Sequence, residues 1–313
     1  MADARGLLGH AISVLVVLAI GVAVYAGGRH VEYQWRWERL PQYVLSTGGE
    51  EIVAPFDGEA KLGPDGRSVT VANAEGRSQT FSGLEVVQVY DGEIVFVGNT
   101  LGRVPGVRPG PLLLGLWLTL QLSVASLLVA FPIGVLVGLG RVARNVTARD
   151  LAAVYVELIR GTPLLVQLYI VYFFVAPVLE LSAFTSGVVG LAVFTAAYIA
   201  EIVRGGIEAV PRGQTEAARS LGMSGLQAMR YVVLPQAIRK TLPSLAGQFI
   251  NLIKDSSLVS VMALSDLTKT GREIVSSTFS PFEVWFSVAA LYLVLTGTLS
   301  WLVRRLERRM AND

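Results

Sequence analysis

Residues 209–235 read AVPRGQTEAARSLGMSGLQAMRYVVLP. Pro211 suits the first turn of a helix, where its missing N–H costs nothing. Residues 215–221 are mostly good helix formers, and Gly222 is a natural stop just past a helix end. Ser224 and Gln227 form a capping box that starts a second helix, and Pro235 marks the neighbourhood of its end. The stretch reads as two short helices broken at Gly222. Apolar runs long enough to cross a bilayer flank it at 182–202 and 241–264. A short loop would have joined two such spans, so the hairpin is an addition. On physical grounds it is either an amphipathic interfacial element or a docking element. In the second case the small residues Ala217 and Ala218 fit closely into a partner's groove.

The rest of the chain explains why the flanking runs are read as spans. It has 313 residues, 52% hydrophobic and 16% charged, with a mean hydropathy of +0.55. Soluble domains average about 25% charged residues. Further apolar runs occupy 6–28, 112–140, 151–179 (uncharged from Gly161) and 284–303, and Lys254 and Asp255 interrupt the run at 241–264. Each is long enough for the roughly 20 residues that cross a ~30 Å hydrocarbon core as helix. Solid apolar runs, rather than short alternating segments, argue against a membrane barrel. The run at 6–28 is longer than the about 7–15 residues of a signal-peptide core. It therefore reads as a retained anchor, although Ala26 offers a small-residue cleavage site. The expected fold is all-α and transmembrane, with six helices and a small β-rich external module between the first and second. With no cysteine, and with His10 and His30 as the only histidines, thiol chemistry and a His- or Cys-rich metal centre are excluded.

Orientation follows from basic residues in the short connections. Arg141, Arg144 and Arg149 lie between the second and third runs. Arg204, Arg212, Arg219, Arg230, Arg239 and Lys240 lie between the fourth and fifth, and Arg304, Arg305, Arg308 and Arg309 follow the last. The positive-inside rule then puts both termini in the cytoplasm, with the tail cluster anchoring to lipid headgroups. Residues 29–110 carry eight basic and eleven acidic residues and belong outside. There Val69 and Val71 alternate with polar neighbours. Runs 84–90 and 93–97 are joined by Asp91-Gly92, a hairpin signal, and Asp65-Gly66 is a second turn. Residues 102–111 read as a linker, and Tyr33, Trp35 and Trp37 as a headgroup-level belt. Three parts result: an N-terminal helix at 1–28, the module and linker at 29–110, and a transmembrane domain at 111–313 with the loop 205–240.

Charges at the centre of a span cost about 2.5–3.5 kcal/mol on insertion scales and mark candidate functional sites. Gln248, Asn251 and Asp255 recur at helical spacing, with Lys254 and Ser256 beside them. They form a polar stripe expected to face the bundle interior. It is either an interhelical polar clamp or dimer-seam network, or a ligand contact offering amides and a carboxylate to an ammonium and Lys254 to a carboxylate. Glu157 and Arg160, one turn apart, read as a structural pair, a headgroup contact or part of the same path. Glu201 and Arg204 are i,i+3 partners, with Glu201 either interfacial or deep. Pro163 after Gly161-Thr162 predicts a kink or break, and Pro132 a packing kink.

Glu216-Ala217-Ala218, Gly222, Val232, Leu234 and Pro235 resemble the EAA–G–I/V–LP signature of permease subunits of bacterial ABC importers. GLWLTL at 115–120, ELIRGTP at 157–163, YIAEIVRGG at 198–206 and KDSSL at 254–258 resemble the polar amino-acid branch of that family, the His/Glu/Gln/Arg/opine type. The resemblance runs from about Gly115 to the C-terminus and leaves residues 1–110 outside it. It implies a five-helix permease core, here with one helix added. It implies that Glu216, Ala217, Ala218, Gly222, Leu234 and Pro235 belong to a coupling helix seated in a groove of an ATPase subunit. It further implies a second permease subunit (identical or homologous), an external solute-binding protein and an amino-acid substrate. The substrate path is expected along Gln248, Asn251, Lys254, Asp255, Ser256, Glu201, Glu157 and Arg160. The setting is the bacterial inner membrane and its lipid, with no nucleic-acid partner. No G-x-x-x-x-G-K-[ST] occurs, so the chain is expected to bind no cofactor and to be no enzyme, with ATP and Mg used by the partner. A stand-alone secondary transporter is the alternative, but it predicts inverted repeats that the sequence does not show.

Overall fold

The protein is described by a computed structural model covering residues 12–27 with breaks at 17, 20 and 24, then 33–46 and 49–310. The described part of 12–27 is helical; the rest of the expected first span, 6–28, lies outside the described residues. From Pro111 onward the chain is almost wholly helical. Among the described residues, three helices are long and apolar enough to cross a membrane: α1 (Pro111–Arg141), α4 (Ala183–Glu208) and the Pro281–Arg305 part of α9 (Pro281–Met310). A fourth crossing is available if α2 (Val146–Arg160) and the helical stretch Leu164–Val178 count as one span bent by 102°. That stretch begins as α3 (Leu164–Ile170) and continues through a π-helical turn, Val171–Val175.

The expected third span, 151–179, is therefore not one rod. Gly161 ends α2, and Pro163 cannot continue it, because proline lacks the N–H and forces the preceding residue out of the α region. Gln167 repairs the break: its Nε2 donates to the Ile159 carbonyl at 2.7 Å and to Thr162 Oγ1 at 2.7 Å. The expected fifth span is helical as α7 (Leu234–Asp255), then tightens into a 3₁₀ segment, Ser256–Val261. The hairpin between α4 and α7 comprises α5 (Arg212–Ser220) and α6 (Gly225–Ala228), and α8 (Leu267–Thr278) precedes α9.

α4 lies at the centre. Its buried surface is rich in small residues, among them Gly187, Gly190, Ala192, Ala196 and Ala200. Small residues let helix backbones approach where lipid removes the hydrophobic drive for association. On α1, a methyl built at Gly134 would lie 2.6 Å from Ile199, and one at Gly138 2.8 Å from Val203. Leu122, Leu168, Leu191 and Leu252 knit α1, α3, α4 and α7 together.

The described residues of 45–109 form nine short strands in three sheets. β1 (Leu45–Ser46) pairs with β9 (Arg108–Pro109). β2 (Glu50–Val53) and β6 (Val86–Val87) flank β8 (Thr100–Val104). The third sheet has the order β5 (Ser78–Phe81), β4 (Val69–Ala72), β3 (Gly58–Leu62), β7 (Glu93–Val95). Val69, Val71, Leu84 and Leu101 fill a common core. Asp65-Gly66 lies in the β3–β4 connection, with Gly66 at φ +62°.

Asp91-Gly92 does not join a hairpin. The strands around it belong to different sheets, because the turn docks on β3. Asp91 Oδ1 accepts from Leu62 N–H at 2.9 Å, and Gly92 N–H donates to the Ala60 carbonyl at 2.8 Å. The expected linker 102–111 likewise carries the end of β8 and all of β9. Tyr33 and Trp35 pack on Phe282, and Trp35 and Trp37 on Phe286, both rings at the start of α9. Glu283, fully buried between them, accepts from the Tyr33 hydroxyl and from Arg36 N–H at 2.5 Å. Burial and that carboxylate push the Tyr33 phenol up to about 12.

Candidate functional site: a hairpin and a polar path

α5 ends at a left-handed residue. Gly222 has φ +85°, where a side chain is strained, and Met223 N–H closes back to the Ala218 carbonyl at 3.2 Å. The capping box opens α6: Ser224 N–H donates to Gln227 Oε1 at 2.8 Å, and Gln227 N–H to Ser224 Oγ at 3.3 Å. Pro235, however, does not end the second helix. A π-helical turn, Met229–Val233, links α6 to α7, with Leu234 N–H donating to the Met229 carbonyl, and Pro235 sits in the first turn of α7. A turn widened by one residue ahead of the proline takes up the ladder that its missing N–H interrupts. The hairpin is tied down by Lys240, whose Nζ donates to the Ala209 carbonyl at 2.8 Å.

Glu216 and Ala217 are exposed, as are Gly222 and Pro235. Ala218 is not: it is 4% exposed and turned into its own chain, so only one of the two alanines is open to a partner. Leu234 packs in a cluster with Ile207, Val210, Val233 and Ala237 at the base of the hairpin. Two residues that sequence reasoning passed over stand out. Leu221 is 82% exposed and Leu226 79%, one on each side of the Gly222 turn. Their signal in the sequence was an apolar side chain at each edge of a polar turn.

The polar stripe on α7 is split. Gln248 and Ser256 are buried, and the Ser256 hydroxyl donates to the Ile253 carbonyl at 2.8 Å. Asp255 is half-buried, and Asn251 and Lys254 are exposed. The stripe thus does not face the interior of this chain as a whole. α7 buries Thr241, Gln248, Leu252 and Ile253, and at ~100° per residue Asn251 and Lys254 lie outside that arc. Among the described residues, Gln248, Asn251, Lys254 and Asp255 make no side-chain hydrogen bond, so these groups are not consumed by an internal clamp.

Glu201 is a junction rather than half of a simple pair. Its carboxylate meets Arg204 at 2.5 Å, Arg160 at 3.8 Å and Arg141 at 3.9 Å. One acid on α4 thereby draws together the last residues of α1 and α2, beside Gly161 where the bent pair breaks. Arg160 also lies over the Tyr198 ring at 5.1 Å, and Arg204 bonds Glu208 as well. The expected Glu157–Arg160 pair does not form, because Arg160 is turned to Glu201 and Glu157 points outward without a partner among the described residues.

Residues 130–312 match the family described as binding-protein-dependent transport system inner membrane component. The glutamine transport system permease protein of Escherichia coli K12 is 42% identical over 204 residues, covering 64% of this chain and 93% of that protein. The nopaline transport system permease protein of Agrobacterium fabrum is 40% identical over 200 residues, covering 60% and 83% respectively. The crystal structure of an amino acid ABC transporter with histidines superposes with a TM-score of 0.60 at 43% identity, covering 64% of this chain and 94% of that one.

Proposed function

The chain belongs to the family of binding-protein-dependent transport system inner membrane components, and from that membership we propose that it is the permease subunit of an ATP-driven importer of polar amino acids. Two such subunits, identical or homologous, would enclose the translocation path, with two ATPase subunits on the cytoplasmic side and a solute-binding protein outside. ATP and Mg belong to the ATPase. The chain itself catalyses no reaction and holds no cofactor. In this reading the bacterial inner membrane is crossed six times, by the helix within 6–28 and the five-helix core in 111–313, with both termini cytoplasmic and residues 29–110 outside.

The observation that carries the proposal is the hairpin between α4 and α7. It holds Glu216 and Ala217 outward and leaves Leu221 and Leu226 almost bare. A groove on an ATPase subunit would cover both of these apolar side chains. Because the hairpin is fastened at the Ala209 carbonyl and runs into α7 without a flexible break, a push on it moves α7. Transport is then a shift between two packings of the spans, biased by the nucleotide state of the ATPase. The unsatisfied Asn251, Lys254 and Asp255, with Arg160 and Glu157, supply polar surface for the path. Gln248 and Ser256 lie buried behind it, and Glu201 ties together the ends of α1, α2 and α4.

The test is uptake of radiolabelled amino acids into proteoliposomes containing the permease, its ATPase and its binding protein. Glu216→Lys is expected to abolish ATP-driven uptake, and Gly222→Val, which forces a β-branched residue into a left-handed conformation, to reduce it at least tenfold. Undiminished coupling in both variants would remove the hairpin from the mechanism.

A further inference from the structure

Two adjoining recesses lie apart from the polar path, one of them beside the hairpin and lined in part by Leu226. One, of about 530 Å³, is a groove between α1, α4 and α7 with an almost wholly apolar wall, including Phe131, Val135, Leu242 and Phe249. The other, of about 910 Å³, opens where α1 and α4 end and the hairpin begins, and it is lined by Arg144, Arg212 and Arg219. Leu139 and Ile207 line both, so the recesses run into one another.

The arginines are placed for an anion. A methyl built on Gly225 would lie 3.4 Å from Arg219 Nη1 and 3.6 Å from Arg144 Nη2, so two guanidiniums end beside the same point. Among the described residues, neither they nor Arg212 have an ion-pair or hydrogen-bond partner. Glu208, the one acid on this wall, is held by Arg204. Like charges brought together without a counter-ion repel, whereas a phosphate would take hydrogen bonds from both forks.

The groove supplies the other half of the argument. On α7, Leu242 and Leu245 line it, and each lies nine residues, half a turn out of phase, from Asn251 and Lys254 respectively. The groove therefore faces away from the polar side of α7. Along α1, Phe131 and Arg141 are ~15 Å apart at 1.5 Å per residue. That is the hydrocarbon depth of one leaflet in a ~30 Å core, and Arg144 lies just beyond it.

We propose that the paired recesses hold one anionic phospholipid of the leaflet on the hairpin's side. Its phosphate sits between Arg144 and Arg219, with Arg212 alongside, and an acyl chain lies along the groove. Basic pockets between helices at the cytoplasmic face are where anionic headgroups bind. The lipid would bridge the end of α1 to α5.

Native mass spectrometry of the purified permease–ATPase complex tests this, with phosphatidylglycerol, phosphatidylethanolamine and inorganic phosphate as probes. Phosphatidylglycerol is expected to bind at least fivefold more tightly than phosphatidylethanolamine. Arg144→Gln and Arg219→Gln, both at exposed positions, should each weaken it about fivefold, the factor that one surface cation contributes, and weaken the net-neutral phosphatidylethanolamine less. Leu242→Trp, which fills the groove, should weaken both lipids. Equal binding of the two lipids, or unchanged phosphatidylglycerol binding in both arginine variants, overturns the proposal. So does displacement of the lipid by millimolar phosphate, which would mark a simple anion pocket. Binding to the isolated permease that vanishes in the complex would likewise overturn it, because the groove would then be a subunit contact.

Discussion

Asp266 is fully buried, and its carboxylate caps α8 by accepting from Thr268 N–H at 3.0 Å and Lys269 N–H at 3.1 Å. Burial pushes its pKa up from the ordinary carboxylate value against those hydrogen bonds. The folded state therefore holds the proton more tightly than the unfolded chain. The group's contribution to stability is complete below the ordinary value and is lost as pH rises through the raised one. Asp266→Asn keeps an oxygen at the cap and removes the buried charge. Its unfolding midpoint in detergent should equal or exceed that of the wild type at pH 8, with the gap closing as pH falls toward the acid range. Asp266→Ala loses the cap and should cost about 1 kcal/mol. An Asn variant clearly less stable than the wild type at pH 8 would show that the charge itself is required.

At the scale of elements, the break at 161–163 and the latch on α9 carry separate expectations. Gln167→Leu leaves the Ile159 carbonyl without its side-chain donor and should lower stability by about 1–3 kcal/mol, read as a fall in the thermal midpoint; no change would mean that water serves the carbonyl equally well. Glu283→Ala leaves the Tyr33 hydroxyl and Arg36 N–H without their acceptor. It should release the segment around 33–46 from α9 and speed tryptic cleavage after Arg36 and Arg39, whereas wild-type cleavage rates would show that the aromatic contacts suffice. Neither element was fully legible in the sequence. Pro163 announced a break, but its angle depends on how α2 and α3 pack on α4. Glu283 looked like one acid among several in a connection, because its partners lie about 250 residues earlier. Local chemistry was legible: the capping box at Ser224 and the glycine at 222 are set by neighbours three or four residues away. Pro235 misled because tertiary packing carried the helix past it, with a π turn absorbing the missing N–H.

At the scale of the whole molecule, the polar stripe on α7 is divided, with Gln248 and Ser256 buried within the chain and Asn251 and Lys254 on its outer face. Asn251 and Lys254 are exposed on a helix in an apolar setting, a costly position unless an aqueous path or a second subunit meets them. The family match covers residues 130–312 and does not extend to residues 29–110. Residues 33–37 are fastened to α9 through Glu283, Phe282 and Phe286. The central claim is that the hairpin is where the ATPase pushes. Because the chain has no cysteine, one introduced thiol is unambiguous. The decisive measurement is cross-linking of single-cysteine variants to the ATPase subunit by a short bis-maleimide in the reconstituted importer. Ala217→Cys, at an outward position, should give a permease–ATPase cross-link whose yield changes on addition of ATP, and Ala218→Cys, 4% exposed and turned inward, should give little. No cross-link at Ala217→Cys in a complex that still transports, or equal yields at the two positions, would contradict it.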